Sequence, residues 1–474
     1  MRRCYRLRHL YVHPVIQAVA LLTMLPSADA RNGLAAGPMV GYSTHREVVL
    51  WMRTDAPETV RVRYWTEGEA GRKSETRPQR TGGEDGRLVH VRIGQLVPGS
   101  VYEYEILLGA EQPVVVPRAY PLRFQTQVIW HRRADPPPFV MAFGSCAYTN
   151  DAADDAPDKP YGGGYEIYES IRKTSPDLML WLGDNVYFRP TDWSSRSGMF
   201  RRYARSRGLA DLQPLLGSVH HYAVWDDHDY GPNDSNRSFV HKQDALDAFR
   251  SYWANPSYGL PDHPGVFGQF TWSDVDVFLI DNRYYRSASS APRTPDKTIV
   301  GQRQLQWLLD ALSGSSAPFK IVAGGGQFLS PVDRFEGYAQ APHEQRRLIS
   351  EIVRRKIEGV VFLSGDRHHT ELVRLDQVGF YPLYDFTSSP LTSRGAAATH
   401  DRDSPIRVPE TLVRKQRNFG LIRVDGPKNG RRMTMEARDT RGRLLWSHKI
   451  AASELRPPPR PEPIPPMTRP LKKK

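Results

Sequence analysis

The sequence predicts a layered α/β body preceded by an all-β sandwich, and three observations predict it. Four apolar runs with the character of buried strands stop abruptly in metal-ligating side chains. Phe139-Val140-Met141-Ala142-Phe143 ends in Gly144-Ser145-Cys146, and Leu178-Met179-Leu180-Trp181-Leu182 ends in Gly183-Asp184-Asn185-Val186-Tyr187. Tyr222-Ala223-Val224-Trp225 ends in Asp226-Asp227-His228-Asp229, and Val360-Val361-Phe362-Leu363 ends in Ser364-Gly365-Asp366-Arg367-His368-His369. Strands buried on both faces read as continuous apolar runs, and ligands collect outside their carboxyl ends. Helical stretches alternate with these runs, which argues for α/β layers. Ahead of them, residues 33–128 carry short alternating strands with turn signals between, the pattern of a β-sandwich.

The first 30 residues have the form of a secretory signal. Arg2-Arg3 is followed by an apolar stretch from Val15 to Leu25 and by Ala28-Asp29-Ala30, a small-x-small cleavage pattern. The arginine pair is compatible with twin-arginine export, so the mature chain is expected in the periplasm or outside the cell. In the sandwich region Val48 to Met52, Val60 to Trp65 and Leu88 to Ile93 are strands. Pro98-Gly99 turns the chain into a further strand, Val101 to Ile106. Pro136-Pro137-Pro138 reads as a stiff linker. A second domain spans 139–454, with helices expected over 165–173, 242–253, 302–312 and 343–356, and buried strands over 275–280 and 319–323. After Asp366 the strands turn antiparallel, closing in a hairpin at Asp439-Thr440-Arg441-Gly442. Residues 455–474 form a basic, proline-rich tail expected to be disordered.

With 474 residues, 39% of them hydrophobic and 25% charged, the chain has the composition of a globular protein of two to three domains. The formal charge of +13 favours encounter with anions. A phosphoester substrate fits that charge, as does contact between the basic tail and anionic surfaces. No helix-turn-helix, finger or stacking motif marks a sequence-specific nucleic-acid reader. Oligomeric state leaves no mark in the sequence. Cys4 leaves with the signal, so Cys146 is the sole mature thiol and no internal disulfide can form. Cys146 is core filling, paired between chains or a metal ligand; its place at a strand end beside three acid-rich strand ends favours metal.

Cys, Tyr, Asp and His converging from strand ends can hold two metal ions. Such a pair, about 4 Å apart, shares a water, lowers its pKa to roughly 7 and clamps an in-line displacement at phosphorus. Asp184, directly after its strand, is the natural bridging ligand, and Tyr187 can return to the same ion through one turn. Asp226 serves either as a ligand or as an orienting neighbour. Gln327, after Gly324-Gly325-Gly326, either ligates or hydrogen-bonds. Arg283 either grips phosphate or pairs with buried acids.

Five motifs in order give the chain a family likeness: Gly144-Ser145-Cys146, Gly183 to Tyr187, Trp225 to Asp229, Asp281-Asn282-Arg283-Tyr284-Tyr285-Arg286 and Gly365 to His368. With Gly37-Pro38-Met39-Val40-Gly41-Tyr42 and Leu96 to Tyr104, they resemble the PhoD-like alkaline phosphatases and phosphodiesterases. That family is a branch of the metallophosphoesterases related to purple acid phosphatases. The resemblance implies a four-layer sandwich, two mixed sheets between helices, behind a fibronectin type III-like domain. It implies a first ion, Fe(III), held by Cys146, Asp184, Tyr187 and His368. A second ion, often Ca(II), would be held by Asp184, Asp227 and Asp366, with other divalent ions as alternatives. It places His228 where a histidine contacts phosphate and protonates the leaving group, a task its ordinary pKa suits. The expected function is hydrolysis of phosphomonoesters, phosphodiesters or both through a metal-bridging hydroxide. The competing reading is a basic surface-binding protein for anionic wall or lipid polymers with a degenerate core, and the intact ligand set argues against it.

Overall fold

Strands with no polar face must lie inside a sheet, and a computed structural model places all four ligand-bearing runs there. It describes residues 33–82, 87–401 and 403–458. The expected signal and the end of the basic tail lie outside the described residues. A nine-stranded sheet runs in the order Leu444–Ala451, Arg432–Asp439, Asn418–Asp425, Phe139–Gly144, Leu178–Leu182, His220–Val224, Leu34–Ser43, Val48–Thr54, Leu88–Ile93. Its strands Phe139–Gly144, Leu178–Leu182 and His220–Val224 are parallel neighbours, so their carboxyl ends open at one edge. A six-stranded sheet runs Gly268–Trp272, Val275–Leu279, Phe319–Ala323, Val360–Ser364, Leu383–Thr387, Glu371–Leu375, with its four middle strands parallel. The two sheets share one core, where Phe143 meets Phe386 edge-on at 4.8 Å.

The helices Glu166–Lys173, Lys242–Tyr252, Gln302–Gly314 and Pro342–Arg354 lie within two residues of their expected ends. Arg196–Arg207 was not foreseen, because its inward face includes Arg202 and Arg207 and hides the apolar stripe. The terminal hairpin turns where expected: the Asp439 carboxylate accepts from the amides of Arg441 and Arg443. Leu455, read as the start of the tail, is instead buried in the core.

The N-terminal region packs two sheets around its own apolar cluster, as a β-sandwich does. Its strands Leu34–Ser43, Val48–Thr54 and Leu88–Ile93 also extend the nine-stranded sheet, through a parallel bridge between Val40 and His220. Along Leu34–Ser43, Met39 and Tyr42 face the large core whereas Leu34 and Val40 face the sandwich core. The proline stretch is tied down, since the carbonyls of Pro136 and Pro137 accept from the Arg431 guanidinium.

His220 fastens this junction. Its Nδ1 donates to the Gly41 carbonyl at 2.7 Å and its Nε2 accepts from the Gln125 amide at 3.1 Å. That arrangement requires a neutral ring, and burial lowers the His220 pKa to about 4. Burial likewise lowers that of its neighbour His221 to about 3. An unfolded histidine titrates near 6.5, so between that pH and about 4 the unfolded chain binds more protons than the folded one. Stability is therefore expected to fall as pH drops through this window. Melting temperatures at pH 7, 5.5 and 4.5 test it. A His220→Gln variant should lose stability at pH 7 yet show a shallower acid slope than wild type, and an unchanged slope would contradict the assignment.

Candidate metal centre

Each ligand-bearing turn follows directly from a strand end, and the turns meet across the seam between the two sheets. Backbone amides fix them: within the sheets Gly365 donates to the Gly325 carbonyl and Cys146 to that of Gly183, and across the seam Leu391 donates to that of Ser145. Cys146 Sγ lies 3.4 Å from Asp184 Oδ2, and the Tyr187 hydroxyl lies 3.1 Å from that oxygen and 3.2 Å from His368 Nε2. These four side chains therefore converge on one point. Asp184, Asp227 and His228 form a second group, and Asp226, Asp227 and Asp366 a third; within each group the ligand atoms lie within 4.8 Å of one another. Asp184 belongs to both the first and second groups, the position a bridging carboxylate needs.

The backbone is held in unusual conformations to achieve this. Cys146, Asp184, Asp366 and His368 all have φ between 51° and 67°, the left-handed region that costs an L-residue roughly 1–2 kcal/mol. Non-glycine residues persist there only where the surroundings enforce it, and such sites are often functional. Gly183, at φ +85°, makes the turn before Asp184 possible. A Cβ at that position would lie 2.6 Å from the Asp226 Cβ.

Burial, followed by the charges of Cys146 and Asp227, pushes the Asp184 carboxyl far above the usual carboxylate range. Burial pushes the Cys146 thiol up to about 12 and, with Asp184, raises the Tyr187 phenol. Burial and Asp226 push Asp366 up to about 8. Asp227 goes the other way: burial opposes its ionisation, but His228 and Arg283 outweigh that and hold it below the usual range. Asp226 Oδ2, Asp227 Oδ1 and His228 Nδ1 are buried without a hydrogen-bond partner, although buried polar atoms are normally paired. A thiol, a phenol, an imidazole and a set of carboxylates with open lone pairs are what multivalent cations require, and a bound cation reverses the pKa logic by displacing the protons. The donor set fits two ions.

Neighbouring groups orient the donors. His368 Nδ1 donates to the Arg394 carbonyl at 2.9 Å, which leaves Nε2 free to ligate. The Ser389 hydroxyl donates to Cys146 Sγ at 3.1 Å, and the His228 amide to Asp184 Oδ1 at 3.3 Å. Asp229 accepts from the amides of Asn185 and Asp226, tying two ligand turns together.

For Arg283 and Gln327 the geometry matches the second of the two roles left open to each. Arg283 is buried and spends its guanidinium on Asp226 and, at 2.5 Å, on Glu336, so it acts as a counter-ion and is absent from the cleft wall. Gln327 donates to Glu371 and Thr387 and accepts from Arg367, so its amide is used as a strut and not as a ligand. Asp226 has one oxygen on Asn282 and Arg283 and the other free, and therefore keeps both of its roles. Sequence reasoning missed Ser389, although Thr387-Ser388-Ser389 ends a parallel strand and that signal was available. It also missed Tyr161, Glu336 and Arg394, which stand in loops without periodicity. The centre opens into a cleft of about 640 Å³ lined by Asp184, Asp227, His228, Asp366 and His368.

Two facing mixed sheets with thiol, phenol, carboxylates and imidazole at their strand ends make a centre of the kind that holds metal ions. The chain belongs to the PhoD-like phosphatase family, whose model matches residues 141–435. A domain of unknown function matches residues 31–129. Alkaline phosphatase D of Bacillus subtilis (strain 168) is 25% identical over 372 residues, covering 67% of this chain; the match spans 60% of that protein's length. Among solved structures, PhoD superposes with a TM-score of 0.72 at 19% identity, covering 90% of this chain and 91% of its own. A purple acid phosphatase from yellow lupin (Lupinus luteus) seeds gives a TM-score of 0.61 at 10% identity, covering 87% and 74%. The mixed fold foreseen from the sequence is thus the fold of these proteins.

Desolvated, clustered acids destabilise a protein that holds no cation, so replacing one by its neutral isostere relieves strain while removing a ligand. After exhaustive chelation, Asp184→Asn is expected to melt a few degrees above wild type. Readdition of metal should raise the wild-type midpoint and leave the variant unmoved. Calorimetry with and without metal reads both, and a variant that responds like wild type would remove Asp184 from the ligand set.

Proposed function

We propose that this chain is an exported metal-dependent phosphoesterase acting on phosphomonoesters, phosphodiesters or both. The observation that carries the reading is the convergence of Cys146, Asp184, Tyr187 and His368 on one point, with Asp184 shared by the adjoining carboxylate group. The first ion would be held by those four side chains, and their thiolate and phenolate suit ferric iron. The second would be held by Asp184, Asp227 and Asp366, an all-oxygen set that suits calcium or another hard divalent ion. Bound there, the cations supply Lewis acidity at the phosphoryl oxygens and bring the pKa of an attacking water toward neutrality.

The chain's own residues do the rest. His228 lines the cleft with its ring 4.2 Å from that of Tyr187, and its Nδ1 has no internal partner. It is placed to hand a proton to the departing alcohol oxygen. Burial lowers its pKa and the Asp227 charge opposes that shift, so Asp227 supports the protonated form needed for the transfer. Asp226, itself clamped by Asn282 and Arg283, keeps the third turn in place behind Asp227 and His228. Export rests on Arg2-Arg3, the apolar stretch and Ala28-Asp29-Ala30, and the basic tail offers contact with anionic surfaces.

Metal analysis of the purified protein, paired with hydrolysis of nitrophenyl mono- and diesters, tests the proposal. Asp184→Ala is expected to lose metal and at least a thousandfold in kcat/KM. His228→Ala should keep its metal and lose roughly 10²–10⁴-fold, more with poor leaving groups than with nitrophenolate. Thiolate and phenolate on ferric iron should give a visible charge-transfer band that Tyr187→Phe shifts. An active enzyme that is colourless and free of iron would reject the iron assignment, and full activity in Asp184→Ala would reject the reading itself.

A further inference from the structure

Phe335 departs from the way this chain treats its aromatic rings. Among the described residues it is the only Phe, Tyr or Trp left largely exposed, at 38%. It also lines the cleft that contains Asp184, Asp227, His228, Asp366 and His368. A lone exposed apolar side chain on an ordinary surface calls for no explanation. Within the wall of a cleft that holds the candidate centre, where Tyr161 and Ala396 to Ala398 are the other less polar groups, an exposed ring is a candidate recognition element.

The ring is held in place from beneath. The Arg367 guanidinium lies 4.1 Å from the Phe335 centroid, within cation–π range. That guanidinium cannot move away: it binds both oxygens of Asp401 at 2.9 Å and the Gln327 carbonyl oxygen at 3.0 Å. Gln327 is fixed in turn by Glu371 and Thr387, and Glu371 by Arg407 at 2.7 Å. Arg367, Gln327, Glu371 and Asp401 are all buried. The adjacent Glu336 is pinned to Arg283, which anchors the same loop from its other side. The His400 ring stands 5.7 Å away as a flank. With one face on an immobilised guanidinium, the exposed surface of Phe335 is its opposite face and edge, presented to the cleft.

We propose that Phe335 is a stacking platform for a planar aromatic group on the alcohol side of the phosphoester, so that aryl or nucleoside esters are favoured over alkyl esters. This rests on the phosphoesterase reading: the metal centre takes the phosphoryl group, and whatever the phosphate carries must leave across this rim. Stacking on a ring rewards a π-face of any identity, whereas an alkyl chain gains only contact area. The buried Arg367–Asp401–Gln327–Glu371 network then has a purpose beyond the loop itself, because it sets the height and tilt of the platform before substrate arrives.

The test measures kcat and KM of the metal-loaded full chain on phenyl phosphate, a 5′-nucleoside monophosphate and glycerol phosphate. Wild type is compared with Phe335→Ala, Phe335→Leu and Phe335→Tyr. Comparing each variant with wild type on the same substrate cancels the intrinsic reactivity of the leaving group. Phe335→Ala and Phe335→Leu should lower kcat/KM on one or both planar substrates about tenfold, through KM, and leave glycerol phosphate within about twofold. Phe335→Tyr should stay near wild type. Whether the phenyl or the nucleoside arm responds more strongly identifies the group that is stacked. Equal losses on all three substrates, no loss on any, or a Phe335→Leu variant that matches wild type would each overturn the platform while leaving the phosphoesterase reading standing. A wild-type enzyme that hydrolyses none of the three would overturn the platform, and one that also leaves the nitrophenyl diester intact would overturn the phosphoesterase reading as well.

Discussion

Crowding of buried acids at the strand ends is the constraint around which this molecule is built. Asp184, Asp226 and Asp227 are buried with Cys146, and Asp366 joins them at the edge of the cleft. Like charges so placed repel strongly when desolvated, and no arrangement of neutral neighbours removes the cost. The nearest protein cation, Arg283, is already divided between Asp226 and Glu336. Arg367 is likewise committed to Asp401 and Gln327. The acids left without an arginine are met by protons, as the raised pKa values of Asp184 and Asp366 show, or by cations that displace those protons, which is what makes the cluster a candidate metal centre.

The architecture supplies what this crowding requires. Parallel neighbours bring three turns of one sheet to a common edge, and the facing sheet contributes Asp366, His368 and Ser389 from two of its own parallel strands. Because Cys146, Asp184 and Asp227 come from one sheet and Asp366 and His368 from the other, the ligand set exists only once both sheets have packed. The left-handed conformations of Cys146, Asp184, Asp366 and His368 belong to the same logic. A backbone leaving a strand end would ordinarily continue in the strand's direction; a left-handed residue turns the chain sharply there. Gly183 and Gly365 are needed there because the opposing turns approach too closely for a side chain, with Ser145 Cβ 2.5 Å from where a Gly365 Cβ would stand.

The sequence was legible where physics acts locally. Continuous apolar runs ending in Gly and acid identified the buried parallel strands and their ligands, because burial on both faces and the carboxyl-end rule leave few alternatives. Amphipathic helices were readable for the same reason. What stayed hidden depended on partners distant in sequence. Arg196–Arg207 conceals its inward face because Arg202 is neutralised by Asp151, Asp154 and Asp192, while Arg207 is stacked 3.8 Å from the Trp253 ring. The choice between phosphate and acid for Arg283 turned on Glu336, 53 residues away, and that of Gln327 on Glu371 and Thr387. The sharing of a sheet between the sandwich and the α/β body involves the Val40–His220 bridge, the His220 ring and bonds such as Ser43 to Tyr222 and Trp51 to Ser251, and no periodicity announces them.

Those buried arginines change what the net charge of +13 means. Arg202, Arg207, Arg283, Arg286 and Arg431 are among the largest side chains fully enclosed in the fold. Arg202 and Arg283 bind aspartates that position or adjoin the site's turns, and Arg431 binds Asp274 together with the proline stretch. Arginine suits this work because its planar fork satisfies several acceptors at once and does not lose its proton on burial. Removing one partner of such a pair leaves an uncompensated charge and costs several kcal/mol, so the pairs act as fixed joints even where their net stabilisation is small. Part of the basic excess is therefore internal scaffolding for an acidic centre and not a surface field. At the cleft itself the positive side chains are Arg334 and Arg367, with His228, His368 and His400 beside them, and the enclosed arginines serve by keeping the acids together.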